Sequence, residues 1–152
     1  MKFRLVLFVI SALLAGCSPE KKATKAFKLG KYQTAIDLNK KILAGNSNNS
    51  RANYFIAESF RLSNRMKEAE AFYARAGGRG LDKDSIQFYY SQSLKANGKY
   101  AEAKAQLEDL ASKTTVDGLK DRANAEIGGI AYLAKLDEKP SFYRVKNMEL
   151  IN

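Results

Sequence analysis

The sequence predicts an all-α protein: three stacked helical hairpins forming a solenoid, closed by a C-terminal capping helix. Three observations predict it. A short pattern recurs at one fixed spacing, in Lys31-Tyr32-Gln33-Thr34-Ala35, Arg65-Met66-Lys67-Glu68-Ala69 and Lys99-Tyr100-Ala101-Glu102-Ala103. Just before each copy stands Gly30, Asn64 or Gly98, residue types that tolerate the left-handed backbone ending a helix. On either side of that turn the small and apolar residues follow a helical spacing.

The chain opens with Lys2 and Arg4, then an almost wholly apolar run from Leu5 to Leu14, then Ala15-Gly16-Cys17. A positive start, a short apolar core and small residues before a cut site are the layout of a secretory signal peptide. A transmembrane helix needs about 20 apolar residues to cross about 30 Å of hydrocarbon. The run from Leu5 to Gly16 reaches only about 18 Å as a helix. A buried core helix would carry a polar face, and only Ser11 interrupts this run. Leu14-Ala15-Gly16-Cys17 resembles the lipobox of bacterial lipoproteins. That resemblance implies acylation of Cys17, the only cysteine, and cleavage before it; the competing reading is an ordinary buried thiol. Removing Lys2 and Arg4 with residues 1–16 takes the formal charge from +10 to +8. By the same resemblance, Ser18 after the cysteine favours the outer membrane, with the chain lipid-anchored and facing the periplasm. Residues 17–22, including Pro19, Glu20, Lys21 and Lys22, are expected to form a short polar tether.

The solenoid is expected over residues 23–136. The first hairpin is Lys21–Leu29 with Tyr32–Ala44, the second Arg51–Ser63 with Met66–Ala76, the third Asp84–Asn97 with Tyr100–Ser112. Asn46 to Asn49 and Gly77 to Gly80 connect them, and Asn49 and Asp84 are expected N-caps. Two turns of helix before the reversal come Ala23, Ala57 and Ser91, all small; one turn before it come Ala26, Phe60 and Leu94. After it come Ala35, Ala69 and Ala103, then Asn39, Tyr73 and Leu107, then Ile42, Ala76 and Leu110. Antiparallel helices approach closely only where the facing side chains are small. Larger residues such as Phe60, Tyr73, Tyr90 and Leu94 then fill the space around that approach.

This order of small, large, Gly, Tyr and Ala resembles the tetratricopeptide repeat (TPR), a helix–turn–helix of about 34 residues. The resemblance runs from about Lys22 to Leu110. The family's tryptophan position holds Asn53 or Gln87, with Tyr54 and Phe88 one place along, and its terminal proline is missing in all three copies. After Thr114 the repeat pattern is expected to break. Asp117 reads as an N-cap and Leu119 to Leu136 as a longer helix covering the open side of the third hairpin, as a terminal repeat must. Gly128-Gly129 costs helix stability, about 1 kcal/mol per glycine, which close packing against the third hairpin would explain.

Residues 137–152 form a tail interrupted by Pro140 and ending in an apolar stretch, Ser141 to Asn152. The layout resembles Bacteroidetes outer-membrane lipoproteins in which a TPR segment leads into a β-propeller and an OmpA-like domain, some of them serving type IX secretion. Neither later domain is present in the sequence, so peptidoglycan binding is not implied.

Histidine is absent, which removes Ser-His-Asp and Cys-His arrangements and histidine metal ligands. No paired-carboxylate motif stands out, so no catalytic residue, metal or cofactor is expected and the chain is read as a non-enzyme. Gly77 to Gly80 lacks the Gly-Lys-Ser/Thr ending of a phosphate loop. Lys28, Lys31, Arg65, Lys95 and Lys99 flank helix turns, where cations favour the helix dipole; nucleic acid is not an expected partner. The TPR resemblance implies a protein or peptide partner on the concave face. By register, Tyr54, Glu58 and Arg61 align with Phe88, Gln92 and Lys95 along that side. These six are the candidate partner contacts. The expected function is that of a lipid-anchored scaffold in assembling an outer-membrane or secretion complex. The alternative is a structural envelope-tethering protein, a shortened form of a larger OmpA-like one.

Overall fold

A computed structural model of the chain describes residues 18–137. The expected leader, Cys17 and the tail beyond Asp137 lie outside the described residues. Among the described residues the chain forms seven helices and no strand: α1 (Pro19–Lys28), α2 (Tyr32–Gly45), α3 (Ser50–Leu62), α4 (Met66–Tyr73), α5 (Lys83–Ala96), α6 (Tyr100–Lys113) and α7 (Asp117–Asp137). Each helix packs on the next in sequence, and odd-numbered ones also meet across hairpins, α1 with α3 and α5 with α7. The odd helices therefore line the inner, concave layer, and α2, α4 and α6 form the outer one.

The three hairpin turns are built alike. Gly30, Asn64 and Gly98 adopt φ of +70°, +58° and +76°. The residue after each reaches back into the preceding helix: the N–H groups of Lys31, Arg65 and Lys99 donate to the carbonyls of Ala26, Phe60 and Leu94 at 3.0, 2.8 and 2.9 Å. This bond satisfies a helix-end carbonyl and reverses the chain at once. The small positions pack as expected. Ala23, Ala35, Ala57, Ala69, Ser91 and Ala103 are all 0% exposed. Ser91 meets its polar requirement locally by donating to the Phe88 carbonyl at 2.6 Å.

Side-chain caps start α1, α3 and α5, the first helix of each hairpin, whereas α2, α4 and α6 start from the turns without one. Asn49 Oδ1 accepts from the Ala52 N–H at 2.9 Å, as expected. For α5 the cap is Asp82, not Asp84: its carboxylate accepts from the Asp84 N–H and the Ser85 hydroxyl. The Asp84 carboxylate instead accepts from Thr114 Oγ1 at 2.6 Å, tying the end of α6 to the start of α5. Pro19 to Lys22, expected to be tether, are the first turn of α1. Ser18 caps it and Pro19 occupies the first helical position, where its missing N–H costs nothing. α4 ends at Tyr73, short of the expected Ala76. Its last turn tightens to i→i+3 bonds, Arg75 to Phe72 and Ala76 to Tyr73, as the chain enters Gly77.

Two apolar cores run along the solenoid. One gathers Ile36, Ile56, Ala57, Phe60, Ala69, Tyr73 and Ile86; the other gathers Phe88, Leu94, Ala103, Leu107, Leu110, Leu119, Ala123 and Ile130. Tyr89 and Tyr90 are half-buried and pack against both. Tyr90, expected in the core, thus sits at the seam while Phe88 takes the core position.

α7 covers the open side of the third hairpin as expected, packing on α6 and α5, but its start keeps the repeat spacing that was expected to break. α7 begins at Asp117, one full repeat after Lys83 begins α5, and Asp117 is its first residue rather than its cap. α7 is the inner helix of a fourth repeat. It runs without turning through Tyr132, the position one repeat after Gly98. Gly128 and Gly129 do not pack closely as expected: both are exposed, and a Cβ at either would meet nothing within 4 Å. No helix among the described residues is long and apolar enough to cross a membrane.

Candidate functional site: the inner face of α3, α5 and α7

Register brings the inner helices' side chains into one continuous strip. On α3, Arg61 lies one turn beyond Glu58, and its guanidinium donates twice to that carboxylate, Nε to Oε1 at 3.1 Å and Nη2 to Oε2 at 2.7 Å. Tyr73 from α4 donates its hydroxyl to the same Glu58 Oε1. The pairing fixes the guanidinium over the Tyr89 ring of α5, 4.1 Å from its centroid. The bond to Glu58 holds the Arg61 guanidinium well above its ordinary range, so it stays charged. Burial, then the bond to Glu58, drives the Tyr73 phenol well above its ordinary value, so it remains a donor.

The strip continues across α5. Tyr89 stacks on Tyr73 at 6.3 Å and meets the Phe88 edge at 5.5 Å. Phe88 is covered in turn by the guanidinium of Arg122 on α7, 4.3 Å from the ring centroid. Such cation–aromatic contacts contribute about 0.5–1 kcal/mol each at exposed sites and more when desolvated. Lys95 of α5 pairs with Glu126 of α7 and closes one end of the contact. Between these groups lies a groove of about 320 Å³ lined by Met66, Phe88, Tyr89, Gln92, Arg122, Ala125 and Glu126. Gln92 Nε2 is buried at its wall with no hydrogen-bond partner. Arg122 has no carboxylate at ion-pair distance among the described residues.

Of the six candidate contacts, Arg61, Gln92 and Lys95 are half-buried on this strip. Tyr54 is half-buried one turn from Glu58, with burial and then the Glu58 charge raising its phenol. Two of the six are placed differently. Glu58 is 6% exposed and its carboxylate is occupied, so it orients Arg61 instead of facing a partner. Phe88 is 3% exposed and lies under Arg122. Sequence reasoning missed Tyr89, Arg122 and Glu126. The last two were accessible: Arg122 and Glu126 stand one repeat after Phe88 and Gln92.

The architecture is that of a TPR-type helical-hairpin solenoid with a longer C-terminal helix. Among solved structures it is similar to SycD, the type III secretion translocator chaperone of Yersinia enterocolitica. One SycD structure matches with a TM-score of 0.61 at 17% identity, over 82% of this chain and 93% of that chain. A second, SycD in complex with a peptide of the translocator YopD, matches with a TM-score of 0.56 at 20% identity, over 77% and 89%. At these identities the likeness establishes the fold. No family model and no curated protein sequence matches the chain.

Proposed function

We propose that the chain is a membrane-anchored scaffold that holds a segment of another protein against the inner face of α5 and α7. The observation that carries this reading is the groove beside Gln92. It offers a buried, unpaired amide donor, a guanidinium with no carboxylate partner and an aromatic wall on one rigid surface. Such a site recognises a peptide carbonyl or carboxylate flanked by an apolar side chain. Two packed helices preform it, so little ordering cost falls on the scaffold. The SycD structure that contains a translocator peptide supports a peptide as the class of ligand for this fold.

The lipobox-like Leu14-Ala15-Gly16-Cys17 supports attachment of the chain through acylated Cys17. In this reading it sits at the outer membrane, faces the periplasm and serves assembly of an outer-membrane or secretion complex, as in the Bacteroidetes lipoproteins it resembles in layout. Cys17→Ala is expected to lose labelling by radioactive palmitate and to leave the membrane fraction. Equal membrane recovery of variant and wild type would count against the anchor.

The groove is tested by placing a photo-crosslinking amino acid at Gln92 in cells, with Lys40 on the outer helix α2 as control. A defined adduct at position 92, absent at position 40 and depleted several-fold by Arg122→Glu, is expected. Identical adducts at both positions would remove the groove from the account.

A further inference from the structure

α1 is the first helix of the described solenoid and stands at its N-terminal end, packed on α2 and α3. Its buried side carries Ala23 and Ala26. The opposite side carries Lys21, Lys25 and Lys28, whose i, i+4, i+7 spacing places them in one stripe. Lys22 flanks the stripe and Lys31 follows in the turn; all five lysines are exposed, and none forms an ion pair among the described residues. Glu20 is the only carboxylate from Pro19 to Lys31. Leu29 lies 60% exposed beside the lysines, at the rim of a shallow groove of about 360 Å³.

A solvated helix face elsewhere in this molecule looks different. α6 pairs Lys104 with Glu108 and Lys113 with Asp109, and α4 carries Glu68 against Arg65. Among the described helices, α1 alone presents a single-sign row with an exposed leucine. A row of ammonium groups beside an apolar side chain is complementary to a surface with anionic phosphates above hydrocarbon.

Position completes the case. Pro19, the first residue of α1, is the second residue after Cys17. Two extended residues span about 7 Å, within the Debye length of about 8 Å at physiological salt. Lys28 lies two turns beyond Lys21, about 10 Å along the helix axis. All three stripe lysines therefore fall inside the screened field only when α1 lies along the surface.

We propose that the Lys21–Lys25–Lys28 face of α1 lies on anionic phospholipid headgroups and holds the solenoid by its N-terminal edge against the membrane. The proposal rests on the anchor reading for where α1 is held, and is independent of the groove. It adds an electrostatic contact to the lipid attachment, and it fixes which way the inner face points.

The test uses the full chain carrying Cys17→Ser, so that acylation plays no part. It is compared with the same chain bearing Lys21→Glu, Lys25→Glu and Lys28→Glu, and with a charge-matched control bearing Lys40→Glu, Lys67→Glu and Lys120→Glu. Each is sedimented with phosphatidylcholine vesicles or with vesicles containing phosphatidylglycerol, at low and high salt. The parent and the control should prefer the anionic vesicles by about tenfold or more, an advantage abolished by salt and by the α1 substitutions. The apolar leader is common to all three chains and cancels in the comparison. Equal binding of parent and α1 variant overturns the proposal, as does an equal loss in the control, which would reduce the effect to net charge. Palmitate labelling at Cys17 and crosslinking at Gln92 report separately on the anchor and the groove. All substituted lysines are exposed, and far-UV circular dichroism checks that each chain keeps its helices.

Discussion

Gly98 and Gly128 are chemically identical and structurally opposite. Gly98 holds φ of +76° in the third turn, and a Cβ there would meet nothing within 4 Å. The cost of substitution is therefore conformational: an L side chain in the left-handed region costs about 1–2 kcal/mol. Gly128 lies inside α7, exposed, and a Cβ there also meets nothing within 4 Å. There alanine restricts the unfolded chain and suits the helix, worth about 0.5–1 kcal/mol in the other direction. Urea unfolding should show Gly98→Ala less stable than wild type and Gly128→Ala more stable. A Gly98→Ala chain as stable as wild type would mean that the turn does not need its left-handed backbone. The same logic explains Asn64, the only described non-glycine with positive φ, whose short polar side chain tolerates that region.

Between elements, polar side chains tie one hairpin to the next. Glu70 of α4 accepts from Lys99 Nζ at 2.6 Å and from Asn97 Nδ2 at 2.8 Å, both in the turn between α5 and α6. The Lys99 bond lowers the Glu70 carboxyl below its ordinary value of about 4.5. That contribution to stability is complete above pH 4.5 and is lost as pH falls through the lowered value. The Glu70 bond raises Lys99 above its ordinary 10.5, so its share is complete below pH 10.5 and is lost as pH rises through the raised value. Glu70→Gln should lower the melting temperature near neutral pH, with the gap to wild type closing at both extremes. A constant gap across pH would assign the loss to something other than this pair.

The elements also show where sequence reasoning stops. The turns and the six small positions were readable because each is a backbone requirement, φ at 30, 64 and 98 or close approach at 23, 35, 57, 69, 91 and 103, that few residue types meet. The inner strip was only half readable. One residue along a helix is a rotation of about 100°, so register alone could not decide whether Phe88 or Tyr89 meets Arg61. Register placed Glu58 on the inner side but could not show that Tyr73 and Arg61, distant and neighbouring in sequence, converge on its carboxylate. α7 was legible as a capping helix, but the absence of a turn at Tyr132 hid the repeat spacing with which it starts at Asp117.

In the whole molecule the two cores meet at a narrow seam, and Tyr89 stands at its centre. It stacks on Tyr73 of the first core, touches the edge of Phe88 of the second, and lies under the Arg61 guanidinium. A repeat array is stable as a sum of local units and nearest-neighbour couplings, and folds as one body only while those couplings exceed the differences between units. Tyr89→Ala removes two contacts between the second and third hairpins at once, those with Tyr73 and Arg61, and leaves the small positions of each hairpin intact. Truncating an aromatic costs about 3–5 kcal/mol where the site is fully packed, and less at this half-buried position. The expected signature is a change of shape as well as a fall in midpoint. The urea transition should broaden, its apparent slope should drop, and amide exchange in α1–α4 should separate from that in α5–α7, whereas in wild type the two sets are expected to exchange together. A single sharp transition merely shifted to lower urea would show that the hairpins are coupled through the backbone of α4 and α5, with the aromatic seam contributing only local packing.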